Sequence, residues 1–262
     1  MFKNFWHHRE LIKQFTVRDV ISRYKGSYLG IFWSFLNPLL MLTVYTFVFS
    51  EIFKSKWNTG SGSKMEFALI IFAGLSVFSI FSEVTTRSPS LIVSNSNYVK
   101  KVVFPLEILP ISILGSSIIH AMISIFILIS GVFLFLGEFH WTIIYFPIVT
   151  IPLLLYATGL GWFLAAIGVY LRDIGQIVGI AVQALQMLSP IFYPVTSIPD
   201  YLKPFYAINP FTYIVEDIRN IFIFGMLPNW TGLGFNTLIG IVVLLIGYYC
   251  FQKLRGGFAD VI

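Results

Sequence analysis

The sequence predicts an all-α polytopic membrane protein: six transmembrane helices, an N-terminal amphipathic interfacial helix, and an outer-face re-entrant hairpin between spans five and six. Three observations carry that prediction. The 262-residue chain is 57% hydrophobic and only 11% charged, whereas soluble domains carry about 25% Asp, Glu, Lys and Arg. Its mean hydropathy is +0.83. Its uncharged runs, residues 26–50, 67–82, 108–137, 141–171, 174–199 and 220–252, each approach or exceed the roughly 20 residues of helix that cross a hydrocarbon core.

Taken in chain order, the first element is basic. Residues 8–25 set Leu11, Ile12, Phe15, Val20, Ile21 and Tyr24 among Arg9, Lys13, Arg18, Arg23 and Lys25, the composition of a helix lying flat in the interface with Leu11, Phe15 and Ile21 in the acyl boundary. A solvated basic tail is the plainer alternative. The spread of charge from Lys3 to Lys25 lacks the order of a cleavable signal peptide. An even number of spans puts both termini on one side. With the termini cytoplasmic, twelve Lys and Arg fall inside and five outside (Lys54, Lys56, Lys64, Lys203 and Arg219), so the positive-inside rule places both termini in the cytoplasm.

The Gly/Ser tract 59–63 reads as an outer loop tip. After residue 199 the apolar stretches 204–215 and 221–230 are too short to cross, and Glu216, Asp217 and Arg219 interrupt them. Lengths of 10–14 favour re-entrant or interfacial helices, with Asn209 as cap and Pro210 in the first turn of the second limb. The whole chain reads as one domain: 1–27 interfacial helix, 28–253 membrane region, 254–262 cytoplasmic tail.

Composition also narrows function. The net charge of +5 is not gathered on one soluble face, so nucleic acid is not an expected partner. Cys250 is alone, and no Cys/His spacing suits a metal. The stretch from Gly60 to Lys64 lacks P-loop spacing, so no ATP site is expected. Glu83, Glu107 and His120 are too few for an ion relay. Glu83 and Arg87, four apart, read as a pair, and His120 as hydrogen-bonded to a neighbouring helix.

Neutral polar and aromatic groups instead form stripes. In the first span, Gly30, Ser34, Asn37, Pro38, Met41, Tyr45 and Phe49 share a helical face; in the fifth, Gln176, Gly179, Gln183, Gln186, Met187 and Pro190 do. Amides and hydroxyls exchange hydrogen bonds with sugar hydroxyls, and rings stack on sugar faces. Tyr45, Phe49 and Tyr193 are the expected stacking surfaces, with Asn37, Gln183 and Gln186 as hydroxyl partners. Helix packing glued by Gln, Asn and small residues fits the same stripes.

Residues 18–40, RDVISRYKGSYLGIFWSFLNPLL, resemble the entry to the first span of polysaccharide-exporting ABC permeases. Further matches are NYVKKVVFPLEILP (97–110), YLRDIGQIV (170–178), SPIFYPVTSIP (189–199) and NPFTYIVEDIR (209–219). The family resembled is that of the ABC-2 type O-antigen, capsule and teichoic-acid exporters, with a lean toward the O-antigen kind. The resemblance implies a homodimeric pore in the bacterial inner membrane, with the first and fifth helices lining the channel. It implies two copies of a separate ABC ATPase that bind ATP and Mg, leaving no cofactor in this chain. It assigns Asn97, Tyr98, Val99, Lys100 and Lys101 to a coupling helix on the ATPase, and the outer hairpin near 200–226 to the family's external re-entrant helices. The substrate implied is a polyprenyl-pyrophosphate-linked polysaccharide, for whose pyrophosphate Arg18, Arg23 and Lys25 are the candidates. Two other readings stay open: an exporter of a small lipid or drug, and a membrane-embedded glycosyl- or acyltransferase, for which Asp173 beside Arg172 is the inner-face acid after span four.

Overall fold

A computed structural model describes residues 2–48, 64–101 and 104–262, and within these the chain is helical without a strand. The helices are α1 (Phe2–His7), α2 (Arg9–Tyr24), α3 (Trp33–Thr46), α4 (Lys64–Ser94), α5 (Ser96–Lys101), α6 (Ile108–Gly131), α7 (Phe146–Tyr170), α8 (Ile174–Leu188), α9 (Lys203–Ile208), α10 (Pro210–Arg219), α11 (Trp230–Leu254) and α12 (Phe258–Val261). Four stretches are long and apolar enough to cross a membrane: Met65–Ser94, Ile108–Leu136, Trp141–Tyr170 and Trp230–Val261. Two more apolar helices, Gly30–Thr46 and Ile174–Leu188, are shorter. At 1.5 Å rise per residue, the 15 residues of α8 reach only about 22 Å of a hydrocarbon core about 30 Å thick. Phe49, the tract 59–63, and Lys54 and Lys56 lie outside the described residues.

The central helix is α4, against which α3, α6, α7, α8 and α10 pack. Ala68, Leu69, Ile70, Ile71 and Ala73 have no exposed surface. It runs twelve residues beyond the predicted end of the second span at Ser82. Charge was read as the boundary, yet Glu83 and Arg87 stay helical because each is neutralised in place. Arg87 donates to Glu83 at 2.9 Å and to Asp19 of α2 at 2.6 and 2.9 Å, and Arg23 donates to both Glu83 oxygens.

The last span also differs from its predicted bounds. Residues 220–224 finish α10 as a π-turn that ends at Gly225, which takes φ +63°, a value that favours glycine. A new helix then starts at Trp230, where the Asn229 side chain accepts from the Gly232 amide at 3.1 Å. A continuous apolar run hid this break. The predicted cap at Asn209 is present: its side chain accepts from the Phe211 amide at 3.0 Å, with Pro210 at the first helical position.

Helices α7 and α11 meet along small residues. A Cβ on Gly247 would collide with the Gly159 carbonyl, and one on Gly159 would lie 2.6 Å from the Val243 carbonyl. Because backbone meets backbone, neither side can yield cheaply. Gly247→Leu should therefore cost more than the 1–3 kcal/mol typical of overpacking. The check is recovery of monodisperse protein from detergent: undiminished yield and melting temperature would show that the seam can open.

Both ends of the chain gather at one end of the bundle. Phe5 stacks on Trp162 at 5.7 Å, Phe15 of α2 meets Tyr98 of α5 at 5.5 Å, and Lys100 donates to the Ile262 carbonyl at 2.8 Å. Arg255 pairs with the buried Glu107 at 2.8 Å, fixing the end of α11 to the start of α6. This packing corrects the reading for Phe15 and Leu11, which the sequence placed with Ile21 in the acyl boundary. Phe15 is buried, and Leu11 partly so, in a protein core with Leu106, Trp162 and Phe258, while Ile21 is exposed. The aromatic partners supplied by α5 and the segment after it compete for Phe15, and they are distant in sequence.

Candidate functional site

Helices α3, α4 and α8 leave a cleft of about 310 Å³ lined by Asn37, Pro38, Met41 and Tyr45 from α3, by Phe72, Leu75, Ser76, Phe78, Ser79 and Ser82 from α4, by Ser124 from α6 and by Gln186 from α8. Asn37, Met41, Tyr45 and Gln186, predicted from two separate spans, are thus brought together. No charged side chain is among the lining residues. The serines arise from a spacing of three along α4, at 76, 79 and 82, a signal present in the sequence but on a helix other than the two that carry the polar stripes.

Those serines are set up to accept. Ser76 donates its proton to the Phe72 carbonyl at 2.7 Å, Ser79 to the Ser76 carbonyl at 2.7 Å and Ser124 to the His120 carbonyl at 3.4 Å. A hydroxyl so committed keeps lone pairs for a donor. The amides of Asn37 and Gln186 can both donate and accept. The Tyr45 ring stands 6.3 Å from the Phe192 ring at one end of the cleft. The surface this creates is uncharged, with hydroxyls, amides and rings side by side, suited to a ligand rich in hydroxyl groups.

Other predicted path residues fall elsewhere. Ser34 is buried and donates to the Ile31 carbonyl at 2.7 Å, so it faces its own helix. Gln183 is exposed on α8 and is not among the lining residues. Tyr193 donates to the Met187 carbonyl at 3.0 Å and shares a 2.7 Å hydrogen bond with the Tyr206 hydroxyl, which fixes it as a brace of the segment after α8.

At the α2 end lies a charged cluster built from three helices. Asp19 and Arg23 come from α2, Glu83 and Arg87 from α4, and Ser116 from α6 donates to Asp19 at 2.5 Å. Burial pushes the Asp19 carboxyl up, but the hydrogen bonds from Arg87 and Ser116 and the charges of Arg87 and Arg23 outweigh it, holding the group below the usual carboxylate range. One turn on, the Tyr24 hydroxyl and His120 Nε2 are 3.1 Å apart, the interhelical bond expected for that histidine. Of the three cations predicted for a phosphate group, Arg23 is held by Glu83, and Arg18 donates to the Tyr98 hydroxyl at 2.9 Å while lying over the Phe15 ring. Lys25 is exposed at the end of α2. In α5, Asn97 and Lys100 are exposed, and Tyr98 and Val99 are half-buried; the Lys101 side chain lies outside the described residues.

At the opposite end is a cation that the structure buries. Arg219 was counted among the outer-loop cations, but it is 2% exposed. Its Nε donates to the Ile70 carbonyl at 3.1 Å and its two terminal nitrogens to the Pro190 and Ile191 carbonyls at 2.7 and 2.5 Å. It ties α10 to α4 and to the end of α8. Arg172 and Asp173 sit exposed between α7 and α8, and among the described residues no three His, Cys, Asp or Glu come together.

The fold defines a multi-pass helical membrane protein with a cleft whose lining carries no charged side chain. Residues 10–223 match the ABC-2 type transporter family, and the chain belongs to that family. It is similar over nearly its whole length to curated relatives. These include the O-antigen export system permease protein RfbA of Myxococcus xanthus, 27% identical over 99% of this chain and 98% of the relative. The RfbA of Klebsiella pneumoniae is 25% identical over 97% and 95%, and the polysialic acid transport protein KpsM of Escherichia coli is 23% identical over 90% of each.

Proposed function

We propose that this chain is the transmembrane subunit of an ABC exporter that moves lipid-linked polysaccharide, of the O-antigen kind, across the bacterial inner membrane. The observation that carries the reading is the cleft between α3, α4 and α8, where hydroxyls, amides and rings line a path free of charged side chains. A moving polymer requires sites that bind well enough to admit it and weakly enough to release it. Neutral, interchangeable partners meet that need.

In this reading α3 and α8 are the first and fifth of six crossings, both termini are cytoplasmic, α9 and α10 form the outer re-entrant hairpin, and residues 1–262 act as one domain. Two copies pair to close the channel. A separate ATPase binds ATP and Mg and engages α5 through Asn97, Tyr98, Val99, Lys100 and Lys101. Because Arg18 is bonded to Tyr98, movement of α5 reaches α2 directly. The substrate's pyrophosphate meets Lys25 and Arg18 first, and it engages Arg23 by displacing Glu83. Arg and phosphate form short, often bidentate contacts, so the exchange is chemically matched.

The test places single cysteines at Met41, Tyr45 and Gln186 in a Cys250→Ala background and probes the assembled exporter with water-soluble thiol reagents. Labelling at these positions, falling when polysaccharide is in transit, is the expected result. Absence of labelling at all three in an ATP-bound complex would mean that the cleft is a packing seam.

A further inference from the structure

The end of the bundle formed by α9 and α10 holds a second cavity of about 310 Å³, lined by Pro194, Val195, Thr196, Glu216, Arg219, Asn220 and Phe224. We propose that it is an outer saccharide subsite, in which Glu216, Asn220 and Thr196 hold the hydroxyl groups of the emerging chain over the Phe224 ring. The proposal rests on the reading of the protein as a polysaccharide exporter and adds to it a binding site separate from the central cleft.

Four observations carry it. The volume falls at the lower end of the range for ligand-sized clefts, about 300–1,000 Å³. The wall is mixed, with one carboxylate, one guanidinium, one amide, one hydroxyl, one ring and two further apolar side chains. Glu216 is half-buried and, among the described residues, forms no hydrogen bond or ion pair, so its oxygens are available to a donor from outside. The neighbouring cation does not neutralise it by contact, because each of the three Arg219 nitrogens is directed at a main-chain carbonyl.

The chemistry of the wall selects the ligand. The Arg219 nitrogens in this wall are directed at main-chain carbonyls, so the charge turned toward the cavity is the Glu216 carboxylate, which repels phosphate and other anions. A single carboxylate falls short of the six to eight oxygen ligands that calcium takes. An acyl chain would bury the Glu216 carboxylate without a hydrogen-bond partner, which is costly. A neutral polyol, by contrast, can donate two hydroxyls to one carboxylate and exchange bonds with an amide and a hydroxyl. Position supports the same ligand. The segment after α8 is shared: Phe192 faces Tyr45 at the end of the central cleft, and Pro194 to Thr196, two residues further on, line the second cavity. A chain leaving the cleft past Tyr45 and Phe192 meets this cavity next.

The experiment uses the whole exporter in cells that make the polysaccharide and in otherwise identical cells that do not. A single cysteine at Thr196, an exposed position, is introduced in the Cys250→Ala background and labelled from outside with a membrane-impermeant maleimide. Labelling should be strong without polysaccharide and strongly reduced with it. Glu216→Gln should restore labelling and lower export by about tenfold, the effect of losing one charge-assisted hydrogen bond. Equal labelling in the two cell types overturns the subsite. So does protection that follows added calcium irrespective of polysaccharide, which would mark a cation site. A cysteine at Met41 in the cleft separates the two levels. If Met41→Cys is protected and Thr196→Cys is not, the subsite is wrong and the exporter reading stands; if neither is protected, both fall. Should Glu216→Gln fail to reach the membrane, the Thr196→Cys comparison alone decides.

Discussion

Arg219→Met should unlock the hairpin from the rest of the bundle. The substitution keeps the stem but removes the donors to Ile70, Pro190 and Ile191. The Ile70 carbonyl sits within α4, but Pro190 and Ile191 lie beyond the end of α8, so no helical ladder serves their carbonyls. Hydrogen bonds from a charged donor are worth about 1.5–3 kcal/mol each. Removing a buried cation also relieves a desolvation penalty, so the contributions do not simply add. A net loss of about 3–5 kcal/mol is expected, because several carbonyls lose a donor at once while only one charge is relieved. The readouts are the melting temperature of the detergent-solubilised protein and proteolysis within 200–226; an unchanged melting temperature would refute the lock. Arg219→Lys should recover only part, since an ammonium cannot present the planar, divergent donors of a guanidinium.

The second large effect concerns transport and leaves the fold intact. Ser79 is exposed on the cleft face of α4 and bonds only back to its own helix, so a larger side chain there projects into space. Tryptophan, whose indole is the bulkiest of the natural side chains, would fill much of a cleft of about 310 Å³. Ser79→Trp should reduce surface polysaccharide at least tenfold, about 1.4 kcal/mol on the export barrier, with normal abundance in the membrane. Ser79→Ala should export nearly as well as the parent, because neighbouring hydroxyls and amides substitute for the one lost. Full export by Ser79→Trp would move the path away from this face.

What was legible in the sequence was whatever a single helix carries by itself. The apolar runs, the cap at Asn209 with Pro210 behind it, the Glu83 and Arg87 pair and the stripe of Asn37, Met41 and Tyr45 all depend on residues a few positions apart, whose spacing fixes a common face. The order of helices and the membrane class follow from the same local arithmetic. The family likeness, carried by five segments spread along the chain, reached the same architecture by a separate route.

The tertiary structure decided which of those faces meet and which charges survive as free groups. Asp19 is 68 residues from Arg87, yet their contact lets α4 continue through two charges that were read as its end. Arg219, counted as a loop cation, is buried, because carbonyls 28, 29 and 149 residues away converge on it. The apolar run from Asn220 conceals a break at Gly225, since hydropathy registers side chains and not the sign of φ. Gln186 enters the cleft and Gln183 does not, although both lie on the predicted stripe, because a stripe spans a broad arc and only packing against α4 selects its edge. Sequence determines the faces; the distant partners that fill or vacate each face determine the site, and these contacts have no local signature.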